Sequence, residues 1–205
     1  MSDHLQYAGA DAETQRRALE AIIRSEPLLM QVLDALARLE LPDALLVSGA
    51  IYNVVWNRLT GRPALRGVND IDVFYFDASD LGWEAEDRAI KALDGALGPM
   101  PLPVQLRNQA RVHLWFEQRF GIPFLPLRSS AEMLERFASR THAVGARLDG
   151  AGRLQIVAPF GLDDMFSFRM VPNPVLNNRP AHDSKSVRCK ALWPELTIVA
   201  WPDQG

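Results

Sequence analysis

The sequence has little that would support covalent cross-links or a membrane span. Its 205 residues contain one cysteine, Cys189, which excludes an intramolecular disulfide and a zinc site of several thiolates. No run of about 18 apolar residues is present, and the first residues lack the basic and apolar regions of a signal peptide. We therefore expect a cytoplasmic protein in a reducing compartment, with no membrane partner.

Basic charge is also scarce. Lys and Arg total 22 against 25 Asp and Glu, which gives a net charge of −3, and the isoelectric point is near 5.8. Proteins that track extended nucleic acid neutralise its phosphates with clustered Lys and Arg. We therefore expect no extended nucleic acid among the partners, whereas a small nucleotide held through a metal ion is compatible with this charge.

The length and an apolar content of 48% suffice for one full core. We expect a single domain over 1–205, with a core at about 20–125 and a C-terminal extension at about 126–205 packed on it. Helices before strands, and then a mixed order, indicate an α+β fold. Apolar spacing and Gly/Pro breaks predict helices at 13–24, 27–40, 50–59, 82–97, 109–120, 129–138, 161–168 and 183–192, and strands at 44–48, 70–76, 103–107, 142–148 and 153–157.

Polar residues at the predicted helix starts are expected to act as caps. Ser25 precedes the 27–40 helix, and Ser129 with Glu132 forms a capping-box pattern. The pairs Ser79-Asp80 and Asp163-Asp164 are placed to cap the helices that follow them.

Two segments carry the chemistry. In Leu45 to Ala50 an apolar strand ends at Gly49 and a helix begins, and such a turn presents free backbone N–H groups and a positive helix dipole to a polyphosphate. In the strand that follows, Asp70 and Asp72 share one face while Ile71 points into the packed layer. Two carboxylates on one face form a hard-cation site suited to Mg²⁺.

These segments, with two later ones, resemble a known family. The blocks Gly49–Trp56, Asn69–Asp72, Arg107–Trp115 and Gly161–Phe166 are similar to those of a bacterial nucleotidyltransferase-like family in the DNA polymerase β superfamily. The likeness extends from about residue 20 to Trp193-Pro194. It implies the polymerase-β-type fold, which is a small mixed sheet flanked by helices, here with added N- and C-terminal helices.

The resemblance also implies an activity. Superfamily members transfer a nucleoside monophosphate from a nucleoside triphosphate to a hydroxyl acceptor, using two divalent metals. Asp70 and Asp72 would be the catalytic metal ligands, and the turn at Gly49-Ala50 would cradle the β- and γ-phosphates. The implied ion is Mg²⁺, with Mn²⁺ as the other candidate, and the acceptor is an unidentified small molecule or protein. Two ions about 4 Å apart neutralise the attacking and leaving oxygens of an in-line displacement.

The chain departs from the superfamily at two places. The third carboxylate expected on the next strand is replaced by Gln105, whose amide adds no negative charge and accepts no proton. Ala50 stands where a small polar residue usually follows the glycine, and Ser48 precedes it instead. The departures motivate an alternative: a catalytically impaired nucleotide-binding or protein-interaction module. Three other carboxylates are candidates to restore the missing charge: Glu117, Asp163 and Asp164.

Further residues leave two interpretations open. Asn53 either braces the phosphate turn or bonds the neighbouring loop, and Arg107 either reaches the triphosphate or forms a surface ion pair. For the remaining candidates the structural interpretation is favoured: Trp56 in the core, His113 as a structural histidine, His142 on a hairpin, and Lys185, Arg188 and Lys190 as a solvated helix face.

Overall fold

A five-stranded mixed sheet forms the centre of the computed structural model, which describes residues 3–202. The strand order is β3-β2-β1-β4-β5; β2 and β3 are parallel and the other neighbours antiparallel. The predicted α+β fold with a mixed sheet is confirmed. The strands are β1 (Leu45–Val47), β2 (Ile71–Tyr75), β3 (Val104–Asn108), β4 (Gly145–Leu148) and β5 (Leu154–Val157).

Helices pack around this sheet. Within residues 3–202 none of them is long and apolar enough to span a membrane. A small parallel pair, β6 (Arg169–Met170) and β7 (Thr197–Ile198), was not expected from the sequence. The helices are α1 (Ala12–Arg24), α2 (Pro27–Leu39), α3 (Gly49–Leu59), α4 (Trp83–Leu97), α5 (Phe116–Phe120), α6 (Ser130–Glu135), α7 (Asp163–Phe166) and α8 (Arg179–Leu192), with 3-10 turns at Gln109–Leu114 and Arg140–His142.

One face of the sheet carries the main core. Ile71, Val73 and Tyr75 alternate along β2 and are buried against the helices, as the strand periodicity predicts. Trp56 on α3 is fully buried in this core, so its structural interpretation is confirmed. The apolar stripe of α2 joins the same layer, and each buried Leu or Val side chain contributes about 1.5–3 kcal/mol of transfer free energy.

The opposite face is covered only in part. Leu45 and Val47 of β1 pack there under Leu134 and Ala143, in a smaller apolar cluster. The polar side chains of β2 and β3 share this face because they alternate with the buried ones. The uncovered part of the face is therefore where a ligand can reach the strands.

Three of the predicted caps are wrong, and two of these precede α2 and α4. Glu26, not Ser25, is the N-cap of α2 and accepts from the Leu28 N–H, while the Ser25 hydroxyl donates to the Ile22 carbonyl at 2.8 Å at the end of α1. Gly82 is the N-cap of α4, and the Asp80 carboxylate accepts from the Gly82 N–H instead of from the helix.

The segment over 109–120 is broken rather than one helix. It forms a 3-10 turn and then the short α5, separated at Trp115, whose φ of −132° is outside the helical range. The next helix ends at Glu135 instead of near 138. Ser129 accepts from the Glu132 N–H at 3.1 Å as predicted, but the Glu132 carboxylate accepts from Arg128, so only half of the capping box forms.

The C-terminal third differs mainly at element ends. The predicted hairpin is confirmed as β4 and β5, although His142 lies in the 3-10 turn before it and not on a strand. The last helix begins at Arg179 rather than near 183, because Pro180 is accommodated in its first turn. Leu162 is the N-cap of α7, and Asp163 accepts instead from the Gly9 N–H at 2.7 Å.

Candidate active site

The glycine turn and the paired aspartates border the same pocket, of about 180 Å³. We call it the small pocket. It lies at the start of α3, beside the open face of β2, and α8 closes it from the other side. The residues that carry the argument below are among its lining: Ser48, Gly49, Asn53, Asp70, Asp72, Lys185 and Arg188.

The turn between β1 and α3 is made at Ser48. Its φ of +57° and ψ of −113° lie in a region that favours glycine. Its N–H donates to the Val144 carbonyl at 2.8 Å, and its carbonyl accepts from Ile51 and Tyr52. Such a backbone costs about 1–3 kcal/mol and persists only where its surroundings fix it. The turn leaves the first N–H groups of α3 free, with the positive end of the helix dipole at the pocket.

The residues of the turn differ in what they present to the pocket. Ala50 is fully buried in the core, so its contribution is limited to its backbone N–H. A Cβ on Gly49 would contact only the Tyr52 hydroxyl, at 3.9 Å, so packing does not require glycine there. The Ser48 side chain lines the pocket, and its hydroxyl has no hydrogen-bond partner in residues 3–202. The space above Gly49 is open to a ligand.

Two asparagines of α3 hold the loop that leads into β2. Asn53 Nδ2 donates to the Gly67 carbonyl at 3.0 Å, and Asn57 Nδ2 donates to the carbonyls of Ala64 and Arg66, each at 2.8 Å. Of the two interpretations of Asn53, the structure has the bond to the neighbouring loop. Asn53 Oδ1 is nevertheless buried and lacks a hydrogen bond within the described residues. This loop fixes the position at which Asp70 enters the strand.

Gly67 allows α8 to approach the same loop closely. Its φ is +76°, and a Cβ there would lie 2.7 Å from Leu192 Cδ1 and 3.0 Å from the Trp193 ring. Trp193 Nε1 donates to Asn57 Oδ1 at 3.0 Å. The end of α8 is therefore locked against α3 and the loop, which sets where the rest of that helix points.

The cations of α8 were misjudged in part. Lys185 is half-buried and lines the small pocket, so the solvated-face interpretation is wrong for this residue. Arg188 lines the same pocket and is exposed, so it is both solvated and in reach of a ligand there. Lys190 Nζ instead donates to the Pro194 carbonyl at 2.8 Å. Burial lowers the pKa of Lys185, and the charge of Asp72 opposes that shift. The i, i+3 spacing of Lys185 and Arg188, which places both on one helix face, was the available signal.

An amide on the neighbouring strand β3 contacts the paired carboxylates. Burial, and then the charge of Asp70, raise the pKa of Asp72, while Lys185 and Arg107 oppose that shift. Gln105 pairs with Asp72 in the parallel register, and its Nε2 donates to Asp70 Oδ2 at 2.8 Å. The amide therefore lies beside both carboxylates, where the resemblance expects the third one.

None of the candidate replacement carboxylates joins the pair. Asp163 bonds Gly9 and Gln15, Asp164 lies 3.8 Å from both Arg140 and Arg169, and Glu117 is exposed on α5. Over residues 3–202 no group of three or more His, Cys, Asp or Glu is arranged to hold a metal. Two carboxylates still fit Mg²⁺, which proteins usually hold through one or two carboxylates together with waters and substrate phosphates.

A second pocket, of about 500 Å³, is also lined by Asp72, and we call it the large pocket. Arg107 lines this pocket and not the small one. It is exposed, and no carboxylate within the described part of the chain pairs with it, so the surface ion pair is absent there. Asp72 lines both pockets.

Neither His113 nor His142 lines either of these two pockets. His113 has a buried Nδ1 without a hydrogen-bond partner in the described range. His142 is buried and stacks on Tyr52, with ring centroids 4.4 Å apart. Burial holds the pKa of His142 well below its ordinary value, so the ring is neutral at pH 7. His142 is therefore a structural residue beside the site, whereas the structural interpretation of His113 stays a prediction.

Comparison with known proteins identifies the family of the chain. No curated protein matches the chain significantly. One solved structure, described as revealing a CCA-adding enzyme head domain, has a similar fold: the TM-score is 0.70 at 24% identity, with 89% of this chain and 95% of that chain covered. A family model described as nucleotidyltransferase matches residues 34–198, which is most of the chain. The chain belongs to this nucleotidyltransferase family.

Proposed function

We propose that this protein transfers a nucleoside monophosphate from a nucleoside triphosphate to a hydroxyl acceptor in a Mg²⁺-dependent reaction. One observation carries the proposal: the N–H groups at Gly49, the carboxylates of Asp70 and Asp72, and the cations of α8 border one pocket. This combination suits a metal-bound triphosphate, because the N–H groups and cations bind its anionic oxygens while the carboxylates hold its metal.

In this proposal the chain binds and orients the reactants and does little covalent chemistry. The Gly49 and Ala50 N–H groups, with Lys185 and Arg188, bind the β- and γ-phosphates, and Asp70 and Asp72 would hold Mg²⁺. Bound Mg²⁺ supplies charge neutralisation on the phosphate oxygens. The Gln105 amide orients the Asp70 carboxylate through its hydrogen bond.

The nucleophile is the hydroxyl of the acceptor. Its oxygen forms a bond to the α-phosphorus while the bond from that phosphorus to the bridging oxygen breaks, and pyrophosphate leaves with the electron pair. Asp72 accepts the hydroxyl proton, since it borders both pockets and Gln105 has no such capacity. The donor is a nucleoside triphosphate, and the acceptor is a small molecule or a protein side chain.

Calorimetric titration with ATP and Mg²⁺ tests the proposal. We expect Mg²⁺-dependent binding that Asp70→Asn and Asp72→Asn each abolish, because both carboxylates hold the ion. Asp34→Asn, at an exposed position on α2, is the matched control and should bind as the parent does. Unchanged Mg²⁺-dependent binding in both site variants would refute the assignment.

The alternative is a nucleotide-binding or protein-interaction module with impaired catalysis. It is supported by the Gln105–Asp70 hydrogen bond, which fills a carboxylate oxygen that a second metal would otherwise use. Incubation with each α-labelled triphosphate and cell extract separates the two. Label that moves onto any acceptor, and is lost in Asp72→Asn, excludes the module; nucleotide binding without transfer favours it.

A further inference from the structure

The large pocket shares Asp72 with the small pocket, and that adjacency gives it a role in the proposed reaction. In an in-line displacement the attacking and leaving oxygens lie on opposite sides of the phosphorus. If pyrophosphate leaves into the small pocket, the acceptor approaches from the large one. Its volume of about 500 Å³ is in the range of about 300–1,000 Å³ typical of small-molecule sites.

The charged residues that line this pocket are three arginines, Arg107, Arg111 and Arg119, and two carboxylates, Asp72 and Glu86. Arg111 forms an ion pair with Glu86, which also accepts from the Asn108 N–H at 2.8 Å, so the Arg111 charge is compensated. Arg107 and Arg119 are exposed, and neither pairs with a carboxylate in the described residues. Two guanidinium groups are thus available to an anionic ligand, and guanidinium binds carboxylate and phosphate through paired hydrogen bonds.

A buried amide supplies an independent sign of a ligand. Gln109 lines the pocket and is only 2% exposed. Its Nε2 donates to the Arg107 carbonyl at 3.1 Å, while its Oε1 is buried without a hydrogen-bond partner in residues 3–202. A buried acceptor left unpaired costs about 1–3 kcal/mol. A ligand hydroxyl or N–H would supply the missing donor.

The rim of the pocket is aromatic. Trp83 and Trp115 line it and are 56% and 39% exposed, which is unusual for side chains of this size. An indole offers a flat apolar face on which a ring can pack. The pocket therefore combines cations, one unpaired acceptor and ring-binding surfaces.

We propose that the acceptor is a ring-containing hydroxyl compound that carries a phosphate or a carboxylate. Arg107 and Arg119 bind its anionic group, Gln109 Oε1 accepts from one of its hydroxyl or amino groups, and its ring packs on the indoles. The inference rests on the proposed function, because the ligand of the large pocket is an acceptor only if the protein transfers a nucleotide. It predicts that cationic compounds are not acceptors. It also assigns Arg107 to the acceptor, and not to the triphosphate, which was one of the two interpretations that the sequence left open.

Glucose and three of its derivatives test the ligand preference of the large pocket without knowledge of the natural acceptor. Glucose 6-phosphate, glucuronate, glucose and glucosamine share one ring and differ in charge, and their binding is followed by the quenching of tryptophan fluorescence. We expect at least one of the two anionic sugars to bind tenfold or more tightly than glucose, with glucosamine the weakest. The anionic sugar that binds more tightly distinguishes phosphate from carboxylate recognition.

Arginine variants make the test specific. Arg107→Gln with Arg119→Gln should remove the preference for the anionic sugars, whereas Arg107→Lys with Arg119→Lys should retain part of it because the charge remains. Arg38→Gln, at an exposed position on α2, is the control and should behave as the parent. Equal binding of all four sugars, no saturation by either anionic sugar, or a preference that survives the double Gln variant would overturn the proposal.

Binding of ATP with Mg²⁺ is measured in parallel. The double Gln variant should bind it as the parent does, since neither arginine lines the small pocket. Anion preference without nucleotide binding would refute the proposed function but leave the ligand chemistry of the large pocket. Nucleotide binding without anion preference would overturn the proposal for the large pocket and leave the proposed function in place.

Discussion

The two pockets that meet at Asp72 are built in different ways. The small pocket is bounded by backbone and by side chains that the core holds in place: the Ser48 turn, the loop bonded by Asn53, and α8 packed against Gly67. The large pocket has a rim of exposed side chains, among them Arg107 and Trp115, around buried residues such as Gln109.

The difference matches the two proposed ligands. A rigid pocket with free N–H groups suits a triphosphate, whose chemistry is the same for every nucleotide. A pocket with long exposed side chains at its rim can adjust their conformations to its ligand, and its specificity depends on a few charges and ring faces. The comparison predicts that a substitution in one pocket leaves ligand binding in the other pocket unchanged.

The largest effect is expected at Gly67. Gly67→Ala introduces a Cβ within 3.0 Å of Leu192 and Trp193 at a φ of +76°, and it should lower the free energy of unfolding by about 2–4 kcal/mol. Urea denaturation measures this. Gly61→Ala is the matched control, because its φ is +67° and nothing lies within 4 Å of the new Cβ. Equal losses in the two variants would show that α8 is not held by close packing.

Lys185→Met should weaken ATP binding by about tenfold to a hundredfold, because a charge-assisted contact to phosphate contributes about 1.5–3 kcal/mol. Binding of glucose 6-phosphate in the large pocket should not change. Titration of both ligands measures the contrast, with Lys91→Met on the exposed face of α4 as the control. A loss shared by both ligands would contradict the division of roles.

Gln105→Glu tests the border between the pockets. Without metal, the new carboxylate loses the bond to Asp70 and adds like charge, so the free energy of unfolding should fall by about 1–2 kcal/mol. Mg²⁺ should then stabilise this variant more than the parent, and any transfer rate should rise. Thermal unfolding with and without Mg²⁺ checks this, with Gln118→Glu on exposed α5 as control. A lower transfer rate would show that the third group lies elsewhere.

The smallest effect is expected at Gly49. Gly49→Ala fits the fold, since only the Tyr52 hydroxyl lies near, at 3.9 Å, but its methyl enters the space proposed for the phosphates. ATP affinity should fall about threefold to tenfold, while the free energy of unfolding stays equal or rises by about 0.5–1 kcal/mol. Gly95→Ala in α4 should show only the gain in stability. Unchanged ATP affinity would place the phosphates away from this turn.

Local sequence patterns were enough to predict the strands and the helix that border the small pocket. The predicted strands and helices around Gly49 and Asp72 are confirmed within a residue or two, because strand alternation and a glycine break act over a few residues. The errors had two causes. At Ser25 two local choices compete, because its hydroxyl bonds the Ile22 carbonyl and Glu26 takes the cap of α2. In the segment over 109–120, contacts distant in sequence take part, such as the ion pair of Arg111 with Glu86.

The sequence by itself determined the α+β order, the shared face of Asp70 and Asp72, and the amide at Gln105, because each depends on neighbours in the chain. Only the tertiary structure decided that Lys185 and Arg188 reach the small pocket. Their approach depends on the packing of α8 against Gly67, a contact between segments more than 100 residues apart that no local period encodes.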